Sequence, residues 1–130
     1  MQYTITRAPQ ALGSPTAVWD SPVWQRAETL EVTNFPWSDS GHRPVTRARF
    51  VYDDEFLGVS FRVEDQYVRA VAREFQDNVC SDSCVEFFVS PIPGSQAYFN
   101  FEVNCGGTIL LMRVPSPEER ESGKENIDVS

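Results

Sequence analysis

The chain is poor in the side chains on which most metal and catalytic sites depend. Its 130 residues include a single histidine, His42, and three cysteines. A structural zinc site takes four thiolate or imidazole ligands, so zinc is not expected. The sequence has neither a Ser-His-Asp arrangement nor a phosphate-cradling glycine loop; Gly106-Gly107 is typical of a turn.

Basic charge is also scarce. Eleven Lys and Arg residues stand against nineteen Asp and Glu, which gives a net charge of −8. Nucleic acids and anionic membrane surfaces are bound by clustered Lys and Arg, so neither is an expected partner. No stretch approaches the roughly 20 apolar residues of a membrane span. The amino terminus lacks the basic-then-apolar pattern of a signal peptide, so either the protein stays inside the cell or its leader is missing from this sequence.

The three cysteines do not define a disulfide framework. Cys80, Cys84 and Cys105 are odd in number, so at least one thiol has no partner within the chain. Within one strand Cys80 and Cys84 would lie about 13 Å apart, too far for a disulfide. Alternation places Cys84 and Cys105 on opposite faces of their hairpin. We expect buried, reduced thiols.

Strand patterns dominate what the sequence does contain. Nine Phe, four Tyr and three Trp residues supply core material for one domain. No helical period is sustained, and Gly and Pro residues separate short alternating runs. This spacing predicts an all-β chain, an antiparallel β-sandwich of the immunoglobulin or jelly-roll kind. The predicted strands cover residues 1–7, 25–32, 46–52, 56–64, 67–73, 81–89, 98–104 and 108–114, and Leu57, Val59, Phe61 and Val63 form the expected core face of the fourth.

The last sixteen residues differ from the rest. We predict a domain over residues 1–114, followed by a charged loop over 115–130 that ends at the start of a further strand, Ile127–Val129. A sandwich that ends in this way is typical of a fragment or of a chain completed by a partner.

Two predicted strands and the turn between them form the candidate site of function. Strands 81–89 and 98–104 are joined by the turn-forming run 91–96, which favours an antiparallel hairpin. Val85, Phe87, Val89, Phe99, Phe101 and Val103 share the predicted core face, and Cys84, Glu86, Phe88, Ser90, Tyr98, Asn100, Glu102 and Asn104 share the opposite, polar face. Pairing about the middle of the turn sets Glu86 opposite Glu102, or opposite Asn104 if the register slips by two residues.

Facing carboxylates repel one another unless a ligand uses them. A ligand with several hydroxyl donors would do so, and this face lacks the Lys and Thr of an ordinary solvent face. The pattern therefore favours a ligand site. The alternative is the solvated side of a half-buried sheet.

Three segments together resemble the family 9 carbohydrate-binding modules and their DOMON-like relatives. They are residues 52–65 (YDDEFLGVSFRVED), 82–88 (DSCVEFF) and 98–107 (YFNFEVNCGG). The resemblance implies a β-sandwich that binds sugars without cleaving them, usually in bacterial polysaccharide breakdown. An extracellular or periplasmic location follows from the same resemblance. It also implies that Glu86 and Asn104 hydrogen-bond sugar hydroxyls.

The chain departs from the family pattern at two positions. Typical members hold the sugar between two tryptophans, but Val79-Cys80 stands at the first place and the second lies beyond residue 130. An arginine that reaches the sugar in typical members matches Glu102 here. Trp37, in the long loop 34–44, is our candidate for the replacement ring, with Tyr67, Phe75 and Tyr98 as others. The predicted ligand-binding residues are Glu86, Asn104, Glu102, Asn100 and Trp37.

Three other functions fit parts of the sequence. Glycoside hydrolysis needs two carboxylates about 5 to 9 Å apart, and Glu86 with Glu102 or Asp82 could provide them, but a flat sheet face offers little cleft, so no enzyme is expected. Loop carboxylates that could hold calcium are Asp53, Asp54, Asp65 and Asp82. An interaction or structural domain with a degenerate sugar site is the main alternative, and an attached catalytic domain or self-association would fit either function.

Overall fold

Nearly all regular structure in the computed structural model is β-strand. The structure describes residues 2–13, 18–36 and 40–122, and the backbone of 127–128. Within these residues two four-stranded sheets and one short α-helix are present, which confirms the predicted all-β, β-sandwich class. No helix in the described part of the chain is long and apolar enough to cross a membrane. Two compact units, residues 1–66 and 67–130, each hold one sheet.

The first unit is built around one long hairpin. Its strands are β1 (Thr6–Arg7), β2 (Leu30–Val32), β3 (Val45–Tyr52) and β4 (Leu57–Glu64). β3 pairs with β4 along its whole length, antiparallel, and with the two short strands on its other edge. The β1–β3 pair is parallel, whereas the other pairs of this sheet are antiparallel. The hairpin that the sequence predicts here is confirmed.

Asp53 closes the turn between β3 and β4. Its Oδ1 accepts hydrogen bonds from the backbone amides of Glu55 and Phe56, at 2.9 and 2.7 Å. Its Oδ2 accepts a third, at 2.7 Å, from the amide of Leu12. These three backbone bonds lower the pKa of the Asp53 carboxyl.

The apolar cluster of the first unit lies around Trp24. This ring packs with Val23 and Val51, and it approaches Gly58 so closely that a Cβ there would stand 3.3 Å from the indole. Trp24 is thus a core residue. The expected core face of β4 is only partly buried: Leu57 and Val63, at its two ends, are 42% and 43% exposed.

The second unit carries the predicted polar hairpin. Its strands are β5 (Cys84–Val89), β6 (Tyr98–Asn104), β7 (Ile109–Val114) and β8 (Ile127–Asp128), paired in that order and all antiparallel. The register places Glu86 opposite Glu102, which confirms the first of the two predicted alignments. β8 begins where the sequence predicts a further strand. The module boundary at residue 114 stays a prediction.

Helix α1 (Pro117–Glu121) occupies part of the segment that the sequence predicts as a charged loop. Ser116 accepts a hydrogen bond from the Glu119 amide, and the Glu119 carboxylate accepts one from the Ser116 amide, so both ends of a capping box are present. Glu119 also pairs with Arg113 of β7 at 2.7 Å. A helix this short has no hydrophobic period, so its sequence signals are the Ser116–Glu119 capping box and the proline at its start.

Residues 67–73 do not form the strand predicted for them. Their backbone amides are bound by side chains instead of by a neighbouring strand. Ser83 Oγ accepts from Arg69, and Asp82 Oδ2 accepts from Val71 and Ala72, at 2.8 to 3.0 Å. These side-chain bonds connect positions ten or more residues apart, so local alternation cannot reveal them.

Candidate functional site

The polar face is the side of the β5–β6–β7 sheet that carries Glu86 and Glu102. On β5 it presents Cys84, Glu86 and Phe88, and on β6 it presents Tyr98, Asn100, Glu102 and Asn104. The register sets Leu110 of β7 beside Glu102, and Met112 beside Asn100. Glu102 therefore lies between Glu86 of β5 and Leu110 of β7. Asn100 lies between Phe88 of β5 and Met112 of β7.

Asn100 and Glu102 carry hydrogen-bonding atoms that the fold does not use. Each residue is only 6% exposed. Asn100 Nδ2 donates to Glu102 Oε1 at 2.8 Å. The other two oxygens, Asn100 Oδ1 and Glu102 Oε2, are buried and have no partner among the described residues. A buried acceptor without a donor costs roughly 1–3 kcal/mol, so a donor from outside the chain would relieve two such costs.

Glu86 is the exposed acceptor of the polar face. Partial burial and then the charge of Glu102 raise the pKa of its carboxyl above the ordinary range. No ion pair to Glu86 or Glu102 occurs among the described residues. The face thus presents three acceptor groups and no compensating cation from the described part of the chain.

The Cys84 thiol lies beside Glu86 on the same face and has low reactivity. Burial, followed by the charges of Glu86 and Glu102, raises its pKa to about 11. A thiol with this pKa is almost fully protonated at neutral pH, so it is a poor nucleophile. All three cysteines are free, but Cys80 and Cys105 are exposed, so the expectation of burial is wrong for these two.

Phe88 provides an exposed ring on the polar face. It is 54% exposed, and its ring centroid lies 5.9 Å from that of the half-buried Tyr98. Alternation places Phe88 on this face, but sequence reasoning did not identify it as an aromatic platform. Of the other candidate rings, Tyr67 and Phe75 are exposed and lie in the segment before β5. Trp37 lies outside the described residues.

Asn104 differs from Asn100 because its side chain is fully engaged. Nδ2 donates to Ala72 O and to Asp82 Oδ2, at 3.0 and 2.9 Å. Oδ1 accepts from the amides of Gly106 and Thr108, at 3.0 and 2.9 Å. An amide side chain has two donors and two acceptor sites, so none is left for a ligand in this structure. Asn104 ties the β6–β7 turn to the segment before β5.

The carboxylate of Asp82 is likewise held by contacts within the fold. Its side chain is 1% exposed and lies 3.3 Å from Arg69 Nε. Burial opposes ionisation of this carboxyl, but hydrogen bonds from Asn104 and from the amides of Ala72 and Val71 outweigh it. Together with the charge of Arg69 they lower the pKa of Asp82. A carboxylate held in this way is not free to act as an acid or a metal ligand.

The candidate calcium ligands do not converge. Asp53 closes a turn, Asp54 pairs with Arg7 at 2.6 Å, and Asp65 lies 3.0 Å from His42. No group of three or more His, Cys, Asp or Glu residues that could hold a metal ion occurs among the described residues. The geometry therefore gives the calcium hypothesis no support.

Comparisons with known proteins agree with the fold. A model of carbohydrate-binding family 9 matches residues 22–129. A solved structure, that of a candidate carbohydrate-binding protein from Bacteroides uniformis ATCC 8492, is 30% identical to this chain with a TM-score of 0.70. The match covers 80% of this chain and 44% of the Bacteroides chain, so this chain spans less than half the length of that protein. None of the curated proteins compared with the chain matches it. Because the family model spans most of its length, the chain belongs to carbohydrate-binding family 9.

Proposed function

We propose that this protein binds a carbohydrate on the polar face without cleaving it. The observation that carries the proposal is a set of acceptors on one face. They are the exposed carboxylate of Glu86 and two buried oxygens without a partner among the described residues, Glu102 Oε2 and Asn100 Oδ1. Sugar hydroxyls donate hydrogen bonds to such groups. The apolar C–H face of a sugar ring packs against an aromatic side chain, and Phe88 is exposed beside the acceptors.

The predicted site residues take different roles in this proposal. Glu86 is the direct contact, because its carboxylate is exposed. Asn100 and Glu102 supply the acceptors at the floor of the site. Asn104 acts indirectly, by holding the turn that ends β6, since its hydrogen-bonding positions are filled. Trp37 remains a predicted ring for the ligand.

A non-catalytic role is supported by the state of the carboxylates. Asp82 is enclosed by hydrogen bonds, so it is not free to act with Glu86 in hydrolysis. The Glu102 carboxylate, opposite Glu86, already accepts a hydrogen bond from the Asn100 amide. A link to bacterial polysaccharide degradation, an extracellular or periplasmic setting and an attached catalytic domain belong to the same proposal. They are supported by the family resemblance.

Calorimetric titration with cellobiose and other neutral oligosaccharides tests the proposal. Glu86→Gln removes the charged acceptor while keeping the size of the side chain, so we expect binding to weaken at least about tenfold, which is about 1.4 kcal/mol. Glu55→Gln, on the exposed β3–β4 turn, makes the same charge change and should bind as the wild type does. Heat that is absent for every saccharide, or unchanged in Glu86→Gln, would refute the site.

A protein-interaction role is the second candidate, favoured by the segment before β5. Its side chains Tyr67, Val68, Val71 and Phe75 are all more than half exposed. Apolar exposure of this kind often marks a contact surface. This role is preferred if no saccharide gives heat and sedimentation shows concentration-dependent self-association that Phe75→Ser abolishes.

A further inference from the structure

The charge of the polar face restricts which carbohydrate it can bind. Glu86 and Glu102 lie directly opposite each other on β5 and β6, and like charges in that position destabilise a strand pair. No described basic side chain forms an ion pair with either one. An uncharged hydroxyl would satisfy one acceptor and leave the repulsion in place.

A second observation beside the carboxylates points to a donor-rich ligand. Asn100 is 6% exposed, its Nδ2 is used by Glu102, and its Oδ1 has no partner among the described residues. This oxygen joins Glu102 Oε2 and the Glu86 carboxylate, so three acceptor groups share one small area of the sheet. An ammonium group carries three N–H donors and no acceptor, together with a positive charge.

We propose that the preferred ligand of this site is an amino sugar whose protonated amine donates to Glu86, Glu102 and Asn100. The inference rests on the proposed carbohydrate-binding function and names its substrate class. The amine satisfies the two buried acceptors and offsets the repulsion between the carboxylates at the same time. Uronic acid and sulfated sugars, which add negative charge, are rejected by the same pair.

Three β-1,4-linked disaccharides separate the amine from the rest of the sugar. Chitobiose, its N,N′-diacetyl form and cellobiose differ only in the group at C2, and a pH of about 6.5 keeps a large share of the amines protonated. By calorimetry we expect chitobiose to bind at least about tenfold more tightly than the other two. Its advantage should shrink with added salt, because charge pairs are screened.

Single substitutions test whether the preference for chitobiose comes from Glu86 and Glu102. Glu102→Gln keeps the acceptor for Asn100 but removes the charge, so the advantage of chitobiose should fall to about twofold or less. Glu86→Gln, at an exposed position, gives the same test if Glu102→Gln does not fold. Glu55→Gln, in the first compact unit, lowers the net negative charge equally without altering a residue of the polar face, and should keep the full advantage. An aliphatic diamine, which lacks the sugar ring, should bind more weakly than chitobiose.

The outcomes distinguish this inference from the proposed function. Equal affinity for the three disaccharides would overturn the amino-sugar preference and leave carbohydrate binding intact. No binding to any of them would overturn both. A preference that Glu102→Gln and Glu86→Gln leave unchanged would show that the amine binds elsewhere.

Discussion

At the residue scale, two asparagines on β6 differ in how the fold uses their side-chain amides. Asn100 and Asn104 share a face of β6, and both are buried. Asn104 uses all of its hydrogen-bonding positions within the fold, whereas Asn100 leaves its carbonyl oxygen without a donor among the described residues. The same side-chain type therefore stabilises a turn at one position and leaves a buried acceptor without a partner among the described residues at the other. Asn104→Ala is consequently a poor probe of sugar binding, since it leaves several buried groups unpaired.

The raised pKa of Glu86 makes the free energy of unfolding depend on pH. A carboxyl whose pKa is higher in the folded state contributes stability below its unfolded pKa and loses it as the pH rises through the folded pKa. Wild type should therefore lose stability relative to Glu86→Gln between about pH 4 and about pH 7. The loss should not exceed about 1 kcal/mol, because the side chain is exposed and screened. Urea unfolding of both proteins at the two pH values measures this difference. A gain in the stability of wild type relative to Glu86→Gln as the pH rises would contradict burial and repulsion as the cause of the raised pKa.

Alternation along the strands predicts which residues share the polar face, and that prediction is accurate for every residue from Cys84 to Phe88 and from Tyr98 to Asn104. It does not predict which of them are buried. Asn100 and Glu102 look like surface residues in the sequence but are nine-tenths buried, because both neighbours of a central strand cover it. The partners of the Asn104 side-chain nitrogen, Ala72 and Asp82, lie more than twenty residues away in the sequence. The sequence alone therefore does not show that Asn104 is used by the fold in a way that Asn100 is not.

At the scale of elements, one side chain covers the part of β7 that the short strand β8 does not pair with. Gln76 Nε2 donates to Leu111 O at 2.8 Å, and Gln76 Oε1 accepts from the Leu111 amide at 2.7 Å. The backbone amide of Gln76 adds a bond of 3.0 Å to Ile109 O. The side-chain amide thus pairs with β7 as another strand would, and an edge covered in this way is less open to aggregation. No sequence pattern marks Gln76 for this role.

Substitution of Gln76 should loosen β7 locally. Gln76→Ala removes both side-chain bonds to Leu111, so we expect exchange of the Leu111 amide hydrogen to accelerate about tenfold or more, while the Phe101 amide in the central strand changes little. Gln96→Ala, at an exposed position in the β5–β6 turn, is the matched control. Hydrogen exchange followed by NMR measures both. Equal rates at Leu111 in wild type and Gln76→Ala would show that something else protects this edge.

At the scale of the whole molecule, composition and family agree with the local chemistry. A net charge of −8 disfavours anionic partners, and family 9 membership supports a saccharide ligand. The strand order along the chain was predictable because Gly, Pro and Asp residues mark the turns. Helix α1 was missed although its capping box is visible in the sequence, whereas residues 67–73 were not predictable because side-chain bonds to residues far away in the sequence determine their course. The match covers 44% of the Bacteroides chain, and a link to polysaccharide breakdown stays a proposal.

The central claim is that a carbohydrate binds the polar face, and NMR titration of the isotopically labelled protein tests it most directly. With saturating cellobiose or chitobiose, we predict the largest shifts at the backbone amides of Glu86, Phe88 and Asn100 and at the side-chain amide of Asn100. The amides of β3 and β4 should change little. Shifts that cluster on residues 67–75 instead, or no shifts at saturating sugar, would contradict the claim.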